Sequence, residues 1–191
     1  PMANTVKECE EMIAAGKKAN KKLMIAYRAQ YEPFNLAAIE KCRDGSLGKL
    51  KTIVADHGRI ADPKEKRDQW RLQKKLAGGG SLYDIGIYSL NATRYLTGEE
   101  PVEISAQVFS TPNDPRFREV EENVNFVLKF PSGVVANCTS SYGYAETKRY
   151  RVFGDKSWLE LDPATDYYKH RMTIGRKNEQ ASEENKTAPQ F

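Results

Sequence analysis

Histidine is nearly missing from this 191-residue chain, which has only His57 and His170. They lie far apart, and neither sits among carboxylates at metal-ligand spacing. That speaks against a metal-hydrolase centre and leaves both as structural or surface residues. Cysteine is almost as scarce. Cys9, Cys42 and Cys138 are odd in number, widely separated and set in apolar surroundings, so they read as small buried hydrophobes and not as a disulfide frame. No apolar run approaches the roughly 20 residues of a membrane span, and no signal-peptide pattern is present. The chain opens on Pro1, so an address at the true amino terminus goes unread and cytoplasm and periplasm both fit. Charge of one sign is lacking too. Thirty basic against 26 acidic residues give +4, and the densest basic groups (Lys17, Lys18, Lys21, Lys22; Lys64, Lys66, Arg67) sit among acids. This is a solvated surface, not the one-sided basic face that nucleic acid requires.

What is present suffices for one domain with a real core: 39 % hydrophobic against 29 % charged residues. Asn4 and Thr5 followed by Glu8 form a capping-box pattern, and Val6, Cys9 and Ile13 continue it as one face of a helix to about Lys22. Leu23–Tyr27 reads as a short apolar strand. Pro33 in a first turn, a stripe of Phe34, Ala38 and Cys42, and Gly45 as a stop predict a second helix. Leu50–His57 reads as a strand, followed by a polar stretch from Gly58 to Gly80 whose length is uncommon unless functional. Ser81–Leu96 returns to helical spacing, with Gly98 closing it.

Beyond Gly98 the period switches to two. Val102, Ile104, Ala106 and Val108 alternate with polar residues, as do Val124, Phe126, Leu128 and Phe130, which predicts half-buried strands. Pro131-Ser132-Gly133 turns the chain into Val134–Ser141, Gly154-Asp155 joins Lys148–Phe153 to Ser157–Leu161, and a last strand falls near Arg171–Ile174. Hairpin-linked strands pair antiparallel. The expected fold class is therefore α+β, an open, mainly antiparallel sheet backed by helices. Residues 175–191, polar and without periodicity, read as a loop or tail.

The stretch Gly78-Gly79-Gly80-Ser81-Leu82-Tyr83-Asp84-Ile85-Gly86-Ile87-Tyr88 stands apart. Three consecutive glycines carry an entropic cost and point to a close approach of a ligand or another domain to the backbone. On the helix that follows, Asp84 and Tyr88 are four apart and share a face, with Asn91 a turn further on. From spacing alone a purely structural reading stands beside the functional one: glycines that lead into a helix, a carboxylate favoured by its dipole, and a half-buried aromatic.

The same string, with Gln69-Trp70-Arg71 before it and Asn91–Leu96 after it, resembles the signature of the Gfo/Idh/MocA oxidoreductases. Pro1-Met2-Ala3 resembles the end of that family's E-K-P motif. Met24–Arg28 with Tyr31-Glu32-Pro33, and Asp162–Tyr168, resemble its glucose-fructose oxidoreductase branch. Many members carry a His where this chain has Tyr88, whereas that branch has Tyr. The resemblance implies the carboxyl-terminal, substrate-binding part of a two-domain dehydrogenase, with residues 1–28 as the tail of a dinucleotide-binding domain and 29–174 as the sheet domain. It implies Tyr88 as acid/base on a sugar hydroxyl, Asp84 as the residue orienting substrate, and Trp70, Arg71 and Tyr167 against NADP (or NAD). It also implies a homo-oligomer, dimer or tetramer, formed through the open sheet.

The implied chemistry is coherent, because oxidising a sugar removes a hydroxyl proton as hydride leaves for nicotinamide. A free phenol, at pKa about 10, needs a nearby cation to serve as that base. The resemblance places a lysine for this immediately before Pro1. No glycine-rich dinucleotide fingerprint follows a leading strand, so the 191 residues by themselves are expected to be inactive. The alternative is a non-catalytic sheet domain for oligomerisation or for binding a sugar or protein. Tyr144 and Lys148 have the spacing of a short-chain dehydrogenase pair, but they fall between strands and not on a helix. Asn91, Asn137 and Asn185 match glycosylation acceptors only by chance.

Overall fold

A computed structural model describes residues 2–176 and the backbone of residues 179–184. The capping box forms. The Thr5 hydroxyl accepts from the Glu8 amide at 3.2 Å while the Glu8 carboxylate accepts from the Thr5 amide at 2.9 Å, opening helix α1, Val6–Lys18. The helix stops short of Lys22, with Asn20 in the left-handed region, and none of its residues is buried.

The strand expected at Leu23–Tyr27 does not form. A strand is held by the ladder it shares with a neighbour, and none of the described strands pairs with this segment. Leu23, Met24 and Ile25 are left out in solvent, with Met24 80 % exposed, while Tyr27 turns in against Tyr88 and Tyr95. Helix α2, Pro33–Arg43, has Pro33 in its first turn and the Glu32 carboxylate accepting from the Asn35 amide at 2.9 Å, and it buries Ala38 and Cys42.

The strands are β1 (Leu50–Gly58), β2 (Glu103–Phe109), β3 (Asn123–Lys129), β4 (Val135–Ser141), β5 (Thr147–Gly154), β6 (Trp158–Leu161), β7 (Arg171–Arg176) and β8 (Glu179–Glu184). They form one open sheet in the order β2-β3-β4-β1-β5-β6-β7-β8. Only β1 with β4 is parallel; the other neighbours are antiparallel. Helix α2 and helix α3 (Ile87–Thr97) cover one face, over Ile53, Ala55, Phe126, Leu128, Val152 and Leu159. Each large apolar side chain buried there contributes roughly 1.5–3 kcal/mol.

Two sheet expectations are corrected. Every residue of β2 is exposed, not half-buried. Ile104 and Val108 stand opposite Leu128 and Val124, so they point to the helix side, but β2 is an edge strand and the helices do not reach over it. The loop or tail expected from Gly175 instead carries the rest of β7 and all of β8, whose register runs from Arg171↔Glu184 to Arg176↔Glu179. An edge strand is held by main-chain bonds to one neighbour and needs no buried alternation, so its polar sequence hid it. Residues 185–191 of the expected tail lie outside the described residues.

Among the described residues no helix is long and apolar enough to cross a membrane, and no group of three or more His, Cys, Asp or Glu could hold a metal ion. Cys42 and Cys138 are buried and unpaired, and burial pushes both thiols up to about 12. Both behave as the small hydrophobes the sequence implies.

Candidate active site

Helix α3 enters through a single π-helical turn, Leu82–Gly86, a feature that often accompanies functional sites. The reason lies in packing. A Cβ on Gly86 would stand 2.8 Å from Ser140 Oγ, so only glycine lets the turn press against β4. The three glycines before it have an internal explanation as well. Gly78 has φ +79°, a Cβ on Gly79 would stand 2.5 Å from the Tyr83 ring, and one on Gly80 would stand 2.1 Å from the Glu121 carbonyl oxygen. The Glu121 carboxylate accepts from the amides of Gly80 (2.8 Å) and Leu82 (3.1 Å). The close approach inferred from the sequence is therefore made by the chain's own backbone and a neighbouring ring.

This seating places Asp84 and Tyr88 in a cleft of about 330 Å³ at the carboxyl end of β1 and the start of β5. Arg28, His57, Arg71 and Tyr167 line it with them. An adjoining hollow of about 190 Å³, lined in part by Trp70, Gly79 and Tyr83, shares Arg71 and Asp84 with the cleft. Of the residues singled out in the sequence, Asp84, Tyr88, Arg71 and Tyr167 thus meet in one cleft and Trp70 flanks it. Asn91 does not join them. It is buried, with its side-chain oxygen accepting from Arg94 at 3.0 Å. The Tyr144 hydroxyl bonds Thr139 at 2.7 Å, and Tyr144 in the β4–β5 connection and Lys148 on β5 do not share the helix that a short-chain dehydrogenase pair needs.

Asp84 is the most heavily bonded carboxylate of the cleft. Its Oδ2 accepts from Tyr142 Oη at 2.9 Å and Arg71 Nε at 3.0 Å, and Arg59 Nη2 lies 3.7 Å away. Burial, then the Asp84 charge, pushes the Tyr142 phenol far up, so it remains a neutral donor. Arg59 is fixed by a two-pronged pair to Asp68, at 2.6 and 2.8 Å. Burial alone would raise the Asp68 carboxyl, but the Arg59 bond and the Asp62 amide outweigh it and hold it below the usual carboxylate range. Arg71 in turn stacks over the Trp70 ring at 4.4 Å.

Tyr88 lies between two rings, with His57 at 5.6 Å and Tyr27 at 5.5 Å between centroids. Burial raises its phenol, while Arg28 acts in the opposite direction. His57 is 1 % exposed. Its Nδ1 shares a hydrogen bond with Ser89 Oγ at 2.8 Å, and its Nε2 is buried without a partner among the described residues. Burial, then Lys148, brings the imidazole down to about 3, and it is neutral. Across the cleft, the loop after β6 is tied down twice. Lys148 Nζ bonds Asp166 at 2.8 Å, and Arg28 donates to the carbonyls of Thr165 (2.6 Å) and Asp166 (2.8 Å).

Sequence reasoning missed Tyr142, Arg59, Lys148 and the contact of His57 with Tyr88. No local pattern announces them, because they arrive from the end of β4, the stretch after β1, and β5. Arg28 and Asp166 lay inside the strings that carried the resemblance, and that was their only signal.

An open-faced sheet thus carries a carboxylate and a phenol in one cleft, with exposed aromatic rings at its rim. The GFO/IDH/MocA C-terminal domain model matches residues 36–160, and the chain belongs to that family. It is 53 % identical to aldose-aldose oxidoreductase from Caulobacter crescentus, solved as a glycerol complex, with a TM-score of 0.90 over 100 % of this chain and 56 % of that one. It is 33 % identical to D-xylose 1-dehydrogenase [NADP(+)] of Haloarcula marismortui over 86 % of this chain and 46 % of that protein. A point mutant of the 3-ketoreductase KijD10 of Actinomadura kijaniata, solved with NADP and TDP-benzene, shares the fold at 21 % identity and a TM-score of 0.84, over 98 % of this chain and 56 % of that one. The chain spans about half the length of the relatives it matches.

Proposed function

We propose that this chain is the substrate-side domain of an NADP-dependent sugar oxidoreductase. In it, Tyr88 exchanges a proton with a sugar hydroxyl and Asp84 orients the sugar. The observation that carries this reading is the meeting of Asp84 and Tyr88 in one cleft with flat, exposed rings beside it, Trp70 41 % and Tyr167 60 % exposed. The chemistry of these residues suits a nicotinamide dinucleotide: aromatic faces for a planar ring and Arg71 for its negative charge. When bound, that group supplies hydride acceptance and return; the domain's own residues hold the sugar and move the proton. NADP rather than NAD is supported by the named preference of the Haloarcula relative. A sugar substrate is supported by the 53 % identical Caulobacter enzyme.

In the oxidising direction the Tyr88 phenolate takes the hydroxyl proton; in the reducing direction the neutral phenol returns it. Burial favours the neutral phenol, so oxidation gains from rising pH. We further infer that the segment expected at 1–28 belongs with a dinucleotide-binding domain as far as residue 26, since Tyr27 and Arg28 pack into the sheet domain's own cleft. Helix α1 buries nothing and the apolar side chains of Leu23, Met24 and Ile25 find no cover. The reading is tested by mixing the full-length protein that carries this chain with NADP and a panel of aldoses and following nicotinamide absorbance. Reduction of NADP by at least one aldose is expected, and none with any sugar, in either direction, would contradict it.

A homo-oligomer through the open face of the sheet rests on a different observation. That face holds a trough of about 390 Å³ lined by residues that include Val54, Val127, Asn137 and Thr139, with Val127 exposed. A shallow, partly apolar sheet face of this kind suits back-to-back packing. Sedimentation of the full-length protein would show a dimer or tetramer, and a strict monomer would contradict it.

A further inference from the structure

The cations of the cleft differ in what balances their charge. Arg59 lies 2.6 Å from Asp68, Arg71 lies 3.0 Å from Asp84, and Lys148 lies 2.8 Å from Asp166 and 3.0 Å from Glu146. Arg28 is the part-buried exception. Among the described residues, no carboxylate lies within ion-pair distance of it. Its guanidinium is held instead by neutral groups: the carbonyls of Thr165 at 2.6 Å and Asp166 at 2.8 Å, with the Tyr167 ring centre 3.7 Å from its central carbon. Carbonyls and an aromatic face orient a guanidinium without cancelling its charge.

The groups that face Tyr88 come from every element around it. Tyr27 and Arg28 precede α2, His57 is on β1, Arg71 is in the stretch after β1, Asp84 is on the turn leading into α3, and Tyr167 is in the loop after β6. Lys148 on β5 faces His57. His57 is neutral, Tyr27 is pushed far up by burial, and Asp84 is matched by Arg71. Arg67, which also lines the cleft without a carboxylate partner among the described residues, is exposed, so Arg28 is the one part-buried cation of the cleft whose charge is uncancelled.

We propose that Arg28 is a positioning residue for the reaction. Fixed by Thr165, Asp166 and Tyr167, it adds a permanent positive charge from within this domain that favours the phenolate of Tyr88. This rests on the reading of Tyr88 as acid/base. In the oxidising step the sugar O–H bond breaks, its proton forms the O–H bond of Tyr88, and the hydride leaves carbon for the oxidised nicotinamide. Negative charge therefore passes from the phenolate to the sugar oxygen and out with the hydride, and Arg28 acts on the state that starts it.

The test compares Arg28→Met and Arg28→Lys in the full-length enzyme, with kcat/KM for sugar oxidation measured against pH. Loss of the charge is expected to move the alkaline rise of Arg28→Met upward by about one pH unit, with a roughly tenfold drop near neutrality. Arg28→Lys keeps the charge and holds the rise near its original position, even if its rate falls through loss of the two-carbonyl grip. If Arg28→Met does not fold, Arg28→Gln, which can still donate to a carbonyl, carries the same expectation. Equal losses in the charged and uncharged variants with an unmoved pH profile would overturn the proposal and leave Arg28 as a loop clamp. An unchanged Arg28→Met would overturn it as well. Tyr88→Phe, measured in parallel, separates the two ideas: if that variant keeps its turnover, the reading of Tyr88 itself fails; if it is inactive, the Arg28 profiles decide on Arg28 alone.

Discussion

The Tyr142 hydroxyl donates to Asp84 Oδ2 across 2.9 Å, joining the residue that follows β4 to the π-helical turn that carries the cleft's carboxylate. Tyr142 is fully buried and its phenol is pushed far above its ordinary range, so it works as a fixed neutral donor. Tyr142→Phe keeps the packing and removes the bond. It should cost about 1–2 kcal/mol in urea unfolding, because a hydrogen bond to a charged group is lost. In the full-length enzyme it should raise KM for the sugar more than it lowers kcat, as Asp84 then keeps only its arginine partners.

The glycine run predicts an order of damage. A Cβ at position 80 meets the Glu121 main chain, which cannot step aside, whereas one at position 79 meets the Tyr83 ring, a side chain that can turn away. Gly80→Ala should therefore destabilise by at least the 1–3 kcal/mol or so of an overpacked core site, and Gly79→Ala by less. Thermal unfolding of the two variants checks the order.

His57 predicts acid sensitivity. Its folded-state pKa is lowered to about 3 by burial, below the unfolded value near 6.5, so the unfolded chain binds the extra proton between these limits. Stability is then full above about pH 6.5 and falls as pH drops toward 3, by up to about 1.4 kcal/mol per pH unit. Denaturant unfolding of His57→Gln across that window should show a flatter dependence than the parent chain.

Asp68 acts at the lower end. Its carboxyl is held below the usual range against the pull of burial, by Arg59 first and the Asp62 amide next. The stability it adds is present above the unfolded value of about 3.9 and is lost as pH falls through the lower folded value. Asp68→Asn should be less stable than the parent at pH 7, and the gap between the two should narrow below about pH 4.

The legible part of this protein was the local part. The Thr5–Glu8 box, the Pro33 start of α2 and the alternation of Val124, Phe126 and Leu128 are rules that act within a few residues, and each produced its element. The shared face of Asp84 and Tyr88 was legible for the same reason, since helical spacing fixed it. The failures were non-local. Leu23–Tyr27 has the composition of a strand but no ladder to join, Ile104 and Val108 alternate correctly but project past the helices, and β8 pairs through its backbone without an apolar face. Asn91 has the right spacing but turns into the body of the fold toward Arg94. Arg28, Lys148 and Tyr142 reach the cleft from segments whose meeting is decided only by the sheet order.

The most direct measurement of the proposed function is the turnover of the full-length Tyr88→Phe variant on its sugar with NADP. If Tyr88 passes the proton, kcat should fall by roughly 10²- to 10⁴-fold, while KM stays within a few-fold because Phe keeps the ring packed between His57 and Tyr27. A variant that retains its kcat within a factor of about two would contradict this and leave the cleft as a binding surface without acid/base chemistry.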